Sequence, residues 1–468
     1  MKKNNHIVGI GATIFVVLVI GTVWYFLFGF DFISRKLLHE TDKVQAEKQL
    51  LDISSIDEAY DAILNKSTNN FIGSHPIDEG FLGWFVSKYG VPALEGIAAY
   101  AELEDAEIWY SITGSSIHVL WYHYCQEMGL SSEESYKTFV KDGQSAYQTV
   151  LDFTGDFSLA EGVGTTTYFN SVGQDIRQCL DEVLLQEMNN SDVMVVNNEF
   201  TYTNRGTAIP GKDYTFRADP KLVSNLEIMG TDVVGLANNH VYDYGEIGLL
   251  DTLTNIESRQ LPYIGAGKNI SEASEPVYYI INGRKIAIVA ATQIERSYKY
   301  TKEATDDSAG VLKTLSPARY AKAISQAKKN ADIVICYVHW GTEGTHHYGM
   351  DQRALAEVFV QAGADAIIGG HTHCLQGVDV IQGAPVFYSL GNFYFSQDPE
   401  MPADYDTAMA QLTVEKDGTL RARLLPCQFS EGRLTLLEEG EQYAQILKDV
   451  SDYSDGALLD EQGYLVDK

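Results

Sequence analysis

Basic residues are scarce in this chain. Its 468 residues carry 34 Lys and Arg against 64 Asp and Glu, a net charge of −30, and a protein this acidic lacks the electrostatic footprint that nucleic-acid binding requires. It also repels polyanions unless it recruits cations locally. Cysteines are few: Cys125, Cys179, Cys336, Cys374 and Cys427 are widely spaced, odd in number and form no Cys-x-x-Cys pair. Neither a disulfide framework nor a thiolate metal knuckle is indicated. What remains is a globular composition, 45% hydrophobic, long enough for two or three domains.

One long apolar run stands out. Residues 7–30 are almost uninterruptedly hydrophobic, with Lys2 and Lys3 before them and Trp24 and Tyr25 near the far end, which predicts a membrane-spanning helix. No small-x-small cleavage site follows, so the expectation is an uncleaved single-pass anchor in the cell membrane, with the bulk of the chain extracytoplasmic. The expected division is therefore a cytoplasmic tip and anchor over 1–30, a helical accessory segment over 31–148, an α/β domain over 149–430 and an acidic tail over 431–468. The accessory segment has amphipathic pieces at 56–64, 91–103 and 117–128, and its Tyr and Trp content reads as packing rather than chemistry. Within the α/β part, Ile281-Asn282-Gly283-Arg284 and Glu415-Lys416-Asp417-Gly418 are hairpin signals. The polar stretch 296–316 reads as a surface loop.

Five strand-like runs end in possible ligands. They are 150–156, ending in Gly155-Asp156; 192–198, followed by Glu199; 231–238, followed by Asn239-His240; 332–338, followed by His339; and 364–368, followed by Gly369-Gly370-His371-Thr372-His373. Ligands of α/β sheets gather at the carboxyl ends of strands, so five such ends describe one site. Singly, each residue has a bland reading: a strand-end turn for Asn238-Asn239, a solvated carboxylate for Glu199, a helix-cap partner for His240. Jointly they favour a metal centre. Oxygen from Asp156, Glu199 and Asn239 with nitrogen from His339, His371 and His373 suits one or two divalent transition-metal ions, Mn, Fe or Zn, better than Ca. If Glu199 bridges, two ions fit. His240 would then be placed to give a proton to a leaving group.

Six motifs carry a family resemblance: Gly155-Asp156-Phe157-Ser158, Asn197-Asn198-Glu199-Phe200, Asn238-Asn239-His240-Val241-Tyr242-Asp243, His339-Trp340-Gly341-Thr342-Glu343, Gly370-His371-Thr372-His373 and Ser389-Leu390-Gly391-Asn392-Phe393. In this order, from about residue 150 to 396, the chain resembles the bacterial capsule-synthesis CapA family, of the calcineurin-like metallophosphoesterase superfamily. The resemblance implies a metallophosphatase-like four-layer α/β sandwich of mixed sheets, following the membrane helix and helical segment. It also implies a metal-dependent hydrolase or transferase site, with His240 and Glu343 as catalytic candidates, and a part in poly-γ-glutamate synthesis or export. Expected partners are the cytoplasmic membrane, other membrane subunits of a synthesis complex and an anionic polymer, with no nucleic acid. The rivals are a non-catalytic assembly or export partner and an envelope phosphodiesterase. One departure stands out: Asp156 is followed by Phe157 and Ser158, where ordinary members of the superfamily have Asp-x-His.

Overall fold

The computed structural model describes residues 55–67, 77–100, 107–130, 137–162, 164–395 and 405–468. The chain divides into two compact units, residues 1–124 and 125–468.

Up to residue 130 the described chain is helical: α1 (Ile56–Ser67), α2 (Glu79–Tyr89), α3 (Val91–Ala99), α4 (Glu107–Thr113) and α5 (Ile117–Met128). Asp78 caps α2 by accepting from Phe81 N. Gly90, at φ 84°, breaks the chain before Pro92 in the first turn of α3. The aromatic residues form a core of their own, with Phe81 lying 5.5–5.9 Å, centroid to centroid, from Trp84, Trp109, Trp121 and Tyr124.

The expected single-pass membrane location is corrected here. Among the described residues no helix is long and apolar enough to cross a membrane, and the longest, Pro317–Asn330, has only 14 residues, whereas a span needs about 20. The run 7–30 that carried the expectation lies outside the described residues.

The second unit is built on two mixed sheets. In chain order the strands are β1 (Thr138–Val140), β2 (Gln148–Phe157), β3 (Val193–Asn198), β4 (Val233–Gly235), β5 (Tyr263–Ile264), β6 (Val277–Ile281), β7 (Arg284–Thr292) and β8 (Ile333–His339). They continue with β9 (Ala366–Gly370), β10 (Val378–Ile381), β11 (Ala384–Phe387), β12 (Asn392–Tyr394), β13 (Tyr405–Glu415), β14 (Leu420–Ser430) and β15 (Arg433–Leu436). One sheet runs β15-β14-β13-β2-β3-β4-β5, with β12 beside β2; the other runs β1-β6-β7-β8-β9-β11-β10. Both hairpin signals form antiparallel pairs, β6–β7 and β13–β14. Asn282, Gly283 and Gly418 take the positive φ that such turns need. The first sheet strand precedes residue 149: β1 pairs with β6.

Alternation along the strands makes four layers. Leu151, Phe153, Val195, Ile288, Ile335 and Ile368 meet between the sheets. On the outer face of the first sheet, Met194 and Val196 pack with Leu184 and Met188 of α6 (Glu182–Asn190) and Leu249 and Leu253 of α7 (Gly245–Glu257). On the outer face of the second, Val334 and Cys336 pack with Tyr320 and Ile324 of α8 (Pro317–Asn330) and Phe359 of α9 (Met350–Gln361). Mixed sheets between helices fit the metallophosphatase-like layering expected from the sequence. After β15 the chain forms α10 (Glu441–Asp452), burying Tyr443, Ile446, Leu447 and Val450, and a small strand pair, Ala457–Leu459 with Leu465–Asp467. The stretch 296–316 is more than a surface loop, because Gly310–Val311 pairs with Ala266–Gly267 and Thr301, Ala304 and Ala309 are buried.

Candidate metal centre

β2, β3 and β4 of one sheet and β8 and β9 of the other all lead into one pocket. Buried parallel strands read as near-continuous apolar runs, and each run stops where a polar side chain turns inward. Asp156 anchors the arrangement. It is fully buried; its Oδ1 accepts from Asn197 Nδ2 at 2.8 Å and its Oδ2 from the His371 amide at 2.9 Å. Nδ1 of His339 and of His373 lie 3.7 and 3.5 Å from its oxygens. Gly370 makes this possible, since a Cβ there would sit 2.6 Å from Asp156 Oδ1. The group that approaches the glycine closely is thus the Asp156 carboxylate.

His371 and His373 hold φ values of 95° and 59°, a region side-chain-bearing residues rarely adopt, at a cost on the order of 1–3 kcal/mol each. The surroundings over-determine them. The His371 amide is tied to Asp156, while His373 Nδ1 meets Asn392 Oδ1 at 2.8 Å and its ring stacks on Phe395 at 5.3 Å.

Among the described residues two groups of side chains could hold a metal ion: Asp156, Glu199 and His339, and Glu199, His371 and His373, each with ligand atoms within 4.8 Å of one another. Glu199 belongs to both. It is fully buried, and among the described residues neither of its carboxylate oxygens has a hydrogen-bond partner; His371 Nδ1 is likewise orphaned. Such groups are costly to leave unpaired. Burial, with the charge of Glu343 second, drives the Glu199 carboxyl well above the usual range. Burial, with Glu199 second, pushes Asp156 up to about 8. Burial also depresses the imidazoles, His339 to about 4, His373 to about 3 and His371 well below its ordinary value. The pocket therefore gathers neutral imidazoles around carboxyls that lack a counter-charge, and a cation reverses that condition.

The spacing suits ligation. Atoms about 2.0–2.2 Å from a common ion lie roughly 3–3.4 Å from each other. His339 Nε2 is 2.8 Å from Asn239 Oδ1 and 3.3 Å from Glu199 Oε1. The six residues named as ligands from the sequence, Asp156, Glu199, Asn239, His339, His371 and His373, are thus brought together.

His240 stands at the edge of this group, its Nε2 3.9 Å from Glu199 Oε1. Its Nδ1 meets Asp243 Oδ2 at 2.7 Å, and Asp243 also pairs with Lys212 Nζ at 2.5 Å and accepts from Phe216 N at 2.7 Å. With Asp243 as acceptor, Nδ1 carries the proton and Nε2 presents a lone pair. Burial outweighs the neighbouring carboxylate and holds His240 near 4. Glu343, the other catalytic candidate, sits at the rim: its side chain is 61% exposed and its Oε1 is 4.0 Å from His371 Nε2. His346 and His347 lie apart, against the ring of Tyr453. Beside His373 and Glu343 opens a cavity of about 550 Å³, lined also by Tyr405, Asp406, Asp449 and Tyr453.

Sequence reasoning missed four residues that support the pocket: Asn197, Lys212, Asp243 and Asn392. Asn197, Asp243 and Asn392 stand inside the motifs quoted above, and the three-residue spacing of His240 and Asp243 was a usable signal. Lys212 lies in a loop with no periodicity to single it out.

Comparison with known proteins places these residues in a family. "Capsule biosynthesis protein CapA" of Bacillus anthracis is 35% identical over 248 residues, covering 51% of this chain and 59% of that protein. "PGA biosynthesis protein CapA" of Bacillus subtilis (strain 168) is 36% identical over 221 residues, covering 47% and 57%. The chain thus spans less than two thirds of the length of these relatives. Among solved structures, the 5'-nucleotidase of Candida albicans SC5314 aligns over 59% of this chain and 51% of its own, at 11% identity and a TM-score of 0.32, too remote to carry an argument. The family described as "Bacterial capsule synthesis protein PGA_cap" matches residues 150–397. Those residues make up more than half of the chain and run from β2 through the last of the site strands, so the chain belongs to the bacterial capsule synthesis protein family.

Proposed function

We propose that this protein serves the synthesis or export of a capsule polymer, poly-γ-glutamate, through a metal-dependent hydrolase or transferase site at the converging strand ends. The observation that carries the reading is Glu199: a buried, unpartnered carboxylate shared by two groups of potential ligands. The relatives' names supply the capsule and PGA context. When bound, a Mn, Fe or Zn ion would supply Lewis-acid polarisation of a substrate oxygen. Around it, Asp156, Glu199, Asn239, His339, His371 and His373 are the ligands we assign. His240, neutral at rest, takes at Nε2 the proton that the attacking water or hydroxyl loses and passes it to the leaving group, with Asp243 and Lys212 fixing its tautomer. A cation also reconciles a chain of net charge −30 with an anionic polymer. Other subunits of a synthesis complex are the partners we expect.

One observation favours a second reading, a non-catalytic assembly partner that binds polymer. The histidine of the Asp-x-His pattern has no counterpart on β2: Phe157 packs in the outer core, and Ser158 Oγ accepts from Ala160 N at 3.2 Å. The experiment is complementation of a strain lacking this protein with His240→Asn, measuring surface polymer. Loss of polymer with normal protein level supports the catalytic reading, whereas normal polymer sinks it and leaves the assembly role.

A further inference from the structure

A second unpartnered acid lies on the same strand as Asp156, four residues earlier and so roughly 13 Å away. Leu151 and Phe153 pack between the sheets, so the alternation of β2 turns Asp152 to the outer face, under α6. Asp152 is fully buried, and among the described residues neither of its oxygens has a hydrogen-bond partner. Gln411 and Ser191 lie close enough to ease its charge, yet their well-aligned hydrogen bonds go to other acceptors. Gln411, its partner across β2 and β13, donates from Nε2 to Glu187 Oε1 at 2.8 Å, and Ser191 donates to the carbonyl of Val193 at 3.0 Å. Arg421, the nearby cation, pairs with Glu415 at 3.6 Å and lies 4.1 Å over the Tyr464 ring. All these side chains line one cavity of about 230 Å³.

We propose that this cavity is a second cation site, separate from the centre at the strand ends, which takes a hard divalent ion of the Ca²⁺ or Mg²⁺ class through the Asp152 and Glu187 carboxylates and the Gln411 amide oxygen. The donor set is oxygen only, without imidazole or thiolate, which selects hard ions over transition metals. Three protein oxygens leave coordination positions for water, and at about 30 Å³ per water the cavity has room for several. Burial, with the charge of Glu187 second, pushes the Asp152 carboxyl up to about 8, as expected of an acid built into a site that lacks its counter-charge. The cation would also tie α6 to β2 and β13, joining sheet to outer layer.

The test is equilibrium dialysis of the full chain, stripped with chelator, against ⁴⁵Ca²⁺, with Mg²⁺ as competitor. Wild type should take up a Ca²⁺ ion that the His371→Ala/His373→Ala variant retains, and Asp152→Asn should weaken that uptake about tenfold or more. Asparagine is close in shape to the protonated acid, so the fold should survive; should near-ultraviolet dichroism show otherwise, Glu187→Gln on the half-buried face of α6 must show the same loss. Wild-type affinity in Asp152→Asn and Glu187→Gln overturns the proposal. So does loss of the ion in the double-histidine variant, or a wild type that takes neither Ca²⁺ nor Mg²⁺.

Discussion

Oε1 of Glu199 lies 3.3 Å from Nε2 of His339, and neither group is reached by solvent. Glu199 is therefore an acid that destabilises the metal-free fold and would stabilise the metal-bound one. Replacing it with Gln separates the two effects. Chelator-treated Glu199→Gln should melt at or above chelator-treated wild type. On adding metal, wild type should gain about 2.7 kcal/mol at a hundred times Kd while the variant gains little. Scanning fluorimetry with and without chelator reads both; a variant that melts lower without metal, or responds to metal as wild type does, contradicts this role.

The shifted groups set a pH window. Asp156 and Asp152, at about 8 in the folded chain against an ordinary 3.8, hold protons that the unfolded chain has lost, so their stabilisation is present at low pH and disappears as pH rises through 8. The imidazoles of His339, His240 and His373, at about 4, 4 and 3 against 6.5, act oppositely, and their share is lost as pH falls below 6.5. Between 6.5 and 8 the two acids dominate, opposed by Lys313, which burial lowers from 10.5 to about 8 and whose share is lost as pH falls through that value. Metal-free protein should therefore gain in Tm as pH is lowered from 8 to 6.5, and Asp152→Asn should gain less. A Tm that falls over that interval refutes the assignment.

Metal uptake must displace those same protons. Calorimetric titration with Mn²⁺ or Zn²⁺ at pH 7 in buffers of different ionisation enthalpy should show protons released on binding, since Asp156 and Glu199 are both raised. Wild type should release more than Glu199→Gln. Equal release from both proteins would mean that Glu199 gives up no proton to the ion.

On the proposed function His240, held between Asp243 and Glu199, transfers a proton and does not ligate the ion. His240→Asn should keep wild-type metal content and lose about 10²–10⁴ in kcat on whichever phosphoester or γ-glutamyl substrate is turned over. Asp243→Asn should lose kcat with KM little changed. A merely structural His240, packed at a tilt on Phe216 with ring centroids 4.3 Å apart, would on substitution lower Tm and leave kcat per folded molecule unaltered.

The strand ends were legible in the sequence because buried strands such as Val193–Asn198 and Ile333–His339 are unbroken apolar runs that stop at a polar residue. Which ends face one another was less so. Asp156 and Glu199 stand at strand ends of one sheet and His339 and His371 at strand ends of the other, and periodicity within a strand carries no information on how two sheets pack. β1 has only three residues, too few for a period to show. The stretch 296–316 looked like a loop by composition because its contacts are polar: Thr301 Oγ1 donates to the carbonyl of Asn239 at 2.8 Å, holding the segment beside the site. Lys212 owes its role to Asp243, which is distant in sequence.

The most direct test is the metal content of the purified protein, by mass spectrometry of wild type and the His371→Ala/His373→Ala variant after incubation with Mn²⁺, Fe²⁺ or Zn²⁺ and desalting. One or two ions per chain in wild type and a clear loss in the variant, with folded spectra for both, is the predicted result. Equal metal in the two proteins, or none in wild type with any of the three ions, would contradict a metal centre at these strand ends.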